Sequence, residues 1–163
     1  MLFLYALATV LVAIEPGSRE IGPWIYTETV DPIDDRRAAS AALDGDGAAL
    51  AVGCEASGAN SIYVGVAFKS TIQRGDASRR SLTYRIDTGP PVAEEWVYRG
   101  SVAYLPSGPA ANAVIAKLKA GSQFAIRVSA ESDGDRTAVF QLTRSGAALS
   151  AVQAVCDAAQ LDQ

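Results

Sequence analysis

Two cysteines constrain this chain more than any other feature. Cys54 closes the apolar run Leu50–Ala51–Val52–Gly53–Cys54, Cys156 lies near the end of the C-terminal segment, and there are no others. In an oxidising compartment such a pair is expected to join. The link would close a loop of about 100 residues and restrict the unfolded chain by about 4.7 kcal/mol in the chain-entropy account. Two buried free thiols are the alternative. No CxxC motif is present, so redox catalysis is not expected.

The compartment reading comes from the first residues. Leu2 to Ile14 is almost wholly apolar, with Thr9 its one hydroxylated interruption. A stretch of about 13 residues is too short to cross a bilayer as a helix and fits the apolar core of an export signal. No Lys or Arg follows Met1 in this stretch, so a buried first strand is the alternative. The chain therefore divides into a leader over 1–14, a Pro/Gly-punctuated tether over 15–23 and a single globular domain over 24–159. The expected location is the periplasm or the exterior, with no transmembrane helix in the mature form.

Composition narrows the chemistry. The formal charge is -4 and the basic residues are scattered, which argues against a nucleic-acid surface. Histidine is absent, which removes the Ser-His-Asp and Cys-His arrangements and the usual zinc ligand sets. Asp44–Gly45–Asp46–Gly47 reads as a hairpin connection, since it lacks the spaced oxygen ligands of a calcium loop. No cofactor or metal is expected.

Periodicity gives the fold class. In Ser81–Leu82–Thr83–Tyr84–Arg85–Ile86–Asp87, even positions point to a core and odd ones to solvent. Similar runs cover Trp24–Val30, Ala48–Cys54, Ile62–Phe68, Val92–Tyr104, Phe124–Val128 and Thr137–Thr143. Ala38–Leu43 suits a strand or a turn of helix equally. Helical spacing takes over at Pro109–Ala120, where Ala111, Val114, Ile115 and Leu118 share a stripe, and at Gly146–Ala159, where Leu149, Val152 and Cys156 do. The expectation is a mainly β protein: an antiparallel β-sandwich or strongly curled sheet with two late α-helices packed against it.

The order of landmarks resembles the VasI-like family of small exported bacterial proteins associated with type VI secretion, or a broader relative of it. The landmarks are Trp24, Asp34–Asp35, the run into Cys54, Tyr84–Arg85–Ile86–Asp87, Trp96, Phe124–Val128, and Phe140–Gly146 leading to the helix of Cys156. The resemblance spans about residues 24 to 157. It implies an extracytoplasmic protein of this fold and assigns no catalytic residue.

Arg85, Asp87 and Trp96 are the candidate partner-binding residues. Arg85 and Asp87 would project from one strand face about 7 Å apart, with Trp96 on a neighbouring strand. An arginine, a carboxylate and an indole on one face suit a glycan, a peptide or a partner strand. The alternative is a solvated strand over a core tryptophan. Glu94 and Glu95 point to opposite faces and make a poor pair for glycoside hydrolysis. The turn Asp34–Asp35–Arg36–Arg37 reads as solvated, with local ion pairs. The resulting expectation is a non-enzymatic accessory protein that docks an envelope protein or a cell-wall glycan or peptide. A carboxylate-dependent cell-wall hydrolase and an inhibitor of an envelope hydrolase are the alternatives.

Overall fold

The computed structural model describes residues 17–54, 62–131 and 134–161. The leader reading for residues 1–14 lies outside them. The alternation around Tyr84 is the pleat of a nine-residue strand within a ten-stranded antiparallel sheet. In chain order the elements are β1 (Ser18–Ile21), β2 (Trp24–Val30), β3 (Arg37–Asp44), β4 (Ala48–Cys54), β5 (Ile62–Phe68), β6 (Ser78–Ile86), β7 (Val92–Arg99), β8 (Val102–Leu105), α1 (Pro109–Ala120), β9 (Gln123–Ala130), β10 (Gly134–Gln141) and α2 (Ser145–Leu161). The spatial order is β1-β2-β3-β4-β5-β8-β7-β6-β9-β10. The β6–β7–β8 meander is thus inserted back to front: β8 returns to β5, and β6 is left to receive β9.

Two details differ from the sequence reading. Residues 18–21, taken as tether, form the edge strand β1, with Ser18 opposite Thr27 and Ile21 opposite Trp24. Their proline and glycine neighbours mark the turns around a short strand. The ambiguous alanine run settles as strand β3, because its alternate residues Ala39, Ala41 and Leu43 are buried on the sheet's inner face. That tertiary burial overrides the helix propensity of alanine.

Register carries the core across the sheet. Trp24, Leu43, Leu50, Val66, Ala103 and Tyr98 lie opposite one another in one unbroken row over six strands, all buried. Toward β10 the same face is aromatic. Tyr84 and Phe124 have ring centroids 5.9 Å apart, as do Phe124 and Phe140, and Tyr84 lies 6.4 Å from Trp96. The sheet is strongly curled and stays open. The curl brings the β3–β4 hairpin to the β10 end of the sheet, where the Asp46 N–H donates to the Val139 carbonyl at 3.3 Å. Gly45 permits that approach, since a Cβ there would sit 2.4 Å from the Phe140 ring.

Both helices pack in the last third of the chain as the periodicity predicts. α1 opens on Pro109, which suits a first turn whose N–H has no intrahelical partner. It carries Lys117 and Lys119 at its negative end. Its stripe Ala111, Val114, Ile115 and Leu118 is buried against α2 and β5. α2 lies along β2, β3 and β4 through Ala148, Leu149 and Val152. The buried Ser145 hydroxyl donates to the Leu118 carbonyl at 2.8 Å and ties the two helices together. Cys54 and Cys156 are bonded, with Cα atoms 5.9 Å apart across 102 residues. The bond pins α2 to the end of β4. Among the described residues no helix is long and apolar enough to cross a membrane.

Candidate binding face

Arg85 stands where the alternation predicts, exposed on the outer face of β6. Its setting comes from β9 and β10 as well as β6. Arg85 lies opposite Ala125, and Arg127 lies between Thr83 on one side and Thr137 on the other. Arg85 and Arg127 are therefore diagonal neighbours on adjacent strands, a spacing that long side chains bridge. With Thr83, Pro91, Gln123, Ala125, Thr137 and Val139 they line a shallow groove of about 370 Å³. Ala125 and Val139 supply its apolar floor, and hydroxyl and amide groups stand beside the guanidiniums. Among the described residues the lining holds no carboxylate. Neither arginine forms an ion pair among the described residues. Each keeps its donors for solvent or a ligand, in a geometry suited to carboxylate or phosphate.

The other two expected contact residues lie elsewhere. Trp96 is fully buried. The β6–β7 register pairs Trp96 with Arg80 and Val92 with Tyr84, which turns the indole to the inner face, opposite Arg85. Its Nε1 donates to Glu94 at 3.1 Å. Trp96 is a core residue, which corrects its place on the contact face. Asp87 lies one residue past the end of β6 with φ +52°, a left-handed conformation that Asp tolerates better than most residues. The turned backbone carries its side chain toward the start of β9. There one carboxylate oxygen accepts from the Ser122 N–H (2.8 Å), the Ser122 hydroxyl (2.6 Å) and the Gln123 N–H (2.8 Å). The Ser122 hydroxyl, then the two N–H groups, hold the carboxyl below its ordinary pKa. Asp87 is a clasp between β6 and β9, and it is occupied.

Other charged residues resolve into local roles. Glu94 and Glu95 alternate across β7, as expected. Burial, and then the neighbouring Glu94 charge, raise the Tyr84 hydroxyl pKa. Arg80 stacks 5.0 Å from the centre of the Tyr98 ring. Arg36 pairs with Asp34, and Arg37 with Glu28.

Sequence reasoning missed Arg127. It sits on the odd face of a strand whose even face carries Phe124, Ile126 and Val128, so its exposure was readable. Its nearness to Arg85 depends on the β6–β9 pairing across about forty residues, for which no local signal exists. Comparison of the chain with protein-family models, with curated proteins and with solved structures finds no match.

Proposed function

We propose that this chain is a non-enzymatic accessory protein of the bacterial envelope, located in the periplasm or secreted. In this reading it docks an envelope protein or cell-wall component through the outer face of β6, β9 and β10. The observation that carries the reading is the pair of exposed guanidiniums, Arg85 and Arg127, which have no anionic partner among the described residues and stand beside an apolar-floored groove. A partner bearing carboxylates or phosphates satisfies both arginines and covers Ala125 and Val139 at once. The Cys54–Cys156 bond supports an oxidising, extracytoplasmic setting. The resemblance to the VasI-like family points to the same compartment.

The test is affinity capture from native envelope extract with wild type beside the Arg85→Ala/Arg127→Ala variant. The expected result is a component retained by wild type, lost from the variant, and released as salt rises through the range where exposed charges are screened. Identical captured sets for the two proteins would end the reading.

A further inference from the structure

Two of the exposed large hydrophobic residues lie at the β2–β3 tip. Val30 and Ile33 are 54% and 92% exposed, at the end of β2 and in the turn that follows it, while Ile25 lies at the other end of that strand, opposite Ala42. Single exposed apolar side chains are ordinary. The way Ile33 is held is less so. The Asp31 N–H donates to the Arg36 carbonyl at 2.8 Å, and the Asp35 N–H to the Asp31 carbonyl at 2.9 Å. The Asp31 side chain accepts from the Ile33 N–H at 2.8 Å, and Arg36 Nε binds Asp34 at 2.6 Å. Asp35 closes the turn at φ +58°. The loop is a fixed platform with an isoleucine at its tip. The tip and the strand ends beside it carry four carboxylates (Glu28, Asp31, Asp34 and Asp35) against two guanidiniums; Arg36 pairs with Asp34 and Arg37 with Glu28, which leaves Asp31 and Asp35 as the excess charge.

The same molecule carries the complementary feature, an apolar-floored groove rimmed by Arg85 and Arg127, with no carboxylate lining it among the described residues. The two cannot meet within one chain. Asp46, just past the end of β3, forms a backbone bridge to Val139 of the groove floor. The tip begins before Arg37, at the other end of that eight-residue strand, roughly 26 Å away.

We propose that the β2–β3 tip of one copy seats in the β6–β9–β10 groove of a second copy, with Ile33 on Ala125 and Val139 and the Asp31 and Asp35 carboxylates on Arg85 and Arg127. This rests on the reading of the groove as a docking site and names an occupant for it. The prearranged loop lowers the ordering cost of association. The contact is small, so association is weak and concentration-dependent. It is also head-to-tail, so each copy keeps one free tip and one free groove, and growth continues into rings or filaments. The excess of acid around Ile33 argues against insertion into an anionic lipid surface.

Sedimentation velocity of the full chain, from about 20 µM to about 1 mM, tests this through complementation. Wild type is expected to show a weight-average coefficient that climbs with concentration. Ile33→Asp and Arg85→Glu/Arg127→Glu should each associate at least tenfold more weakly, about 1.4 kcal/mol. Mixed in equal amounts they should form a dimer and nothing larger, because the mixture holds one good tip and one good groove per pair. Wild type that stays monomeric throughout would overturn the proposal, as would association unchanged in both variants or a mixture that fails to pair. Flotation with phosphatidylcholine vesicles that depends on Ile33 and ignores Arg85 would assign the tip to lipid instead. Failure here with Arg85-dependent capture from envelope extract intact would leave the docking function standing and remove only this occupant.

Discussion

Replacing both cysteines by alanine is the perturbation whose size follows most directly from the structure. The bond closes a loop of 102 residues, so the chain-entropy account assigns it about 4.7 kcal/mol, acting through the unfolded state. A domain of about 140 residues unfolds with an entropy near 0.3 kcal/mol/K, so the Cys54→Ala/Cys156→Ala variant should melt about 15 °C lower. Both cysteines are buried, so part of the loss could instead reflect missing packing. Reduced wild type separates the two, since it keeps both sulfurs in the core and loses only the link. Urea titrations of the three species carry the decision. If the link acts on the unfolded ensemble, breaking it expands that ensemble and raises the m-value while lowering the midpoint.

The loosening should also be local. The first half of α2 keeps Ala148, Leu149 and Val152 in the core and the Ser145 tie to Leu118. Beyond Val152 the bond at Cys156 is the one covalent hold on the helix. Amide exchange in reduced protein should therefore accelerate most after Val152 and in the end of β4, with β9 and β10 nearly unchanged. A loss below about 1.5 kcal/mol with an unaltered m-value would refute the unfolded-state argument. Uniform acceleration across the sheet would refute the local one.

Other residues give sharper tests of placement. Trp96→Ala should cost about 3–5 kcal/mol in urea unfolding as a fully buried indole, while Arg85→Ala should stay within about 0.5 kcal/mol; the reverse ranking would restore Trp96 to the surface. Gly45→Ala should lose about 1–3 kcal/mol, because its Cβ meets the Phe140 ring and the Val139 carbonyl, and a neutral result would mean that the hairpin does not press on β10. Asp87 gives a pH signature. Its pKa is lowered in the folded state by the Ser122 and Gln123 donors, so its stabilisation is present above the ordinary value of 3.8 and fades as pH falls through the lower folded value. The melting-temperature gap between wild type and Asp87→Asn should be steady near neutrality and shrink below that point, and a gap that widens in acid would contradict the clasp.

The contrast between Arg85 and its two expected companions shows how far the residues could be read without coordinates. Alternation fixes which side of its own strand a residue takes, and it places Leu82, Tyr84 and Arg85 correctly because β6 is regular as far as Ile86. Asp87 departs because the period-two rule stops where the backbone does: at φ +52° the next side chain no longer belongs to either face. Trp96 departs for a longer-range reason. Whether it shares a face with Arg85 depends on the register of β7 on β6, set by the turn between Ile86 and Val92. The observed register pairs even residues with even ones, Tyr84 with Val92 and Arg80 with Trp96. Had that turn shifted the register by a single residue, the indole would have joined Arg85 on the outside. Local pattern thus supplies the two candidate faces of each strand, and the turns decide which faces are assembled together. The groove illustrates the consequence: Arg85, Arg127 and Val139 come from three strands joined by one long-range pairing, β6 with β9, and one turn-set register, β9 with β10, so the site emerges only when the sheet does.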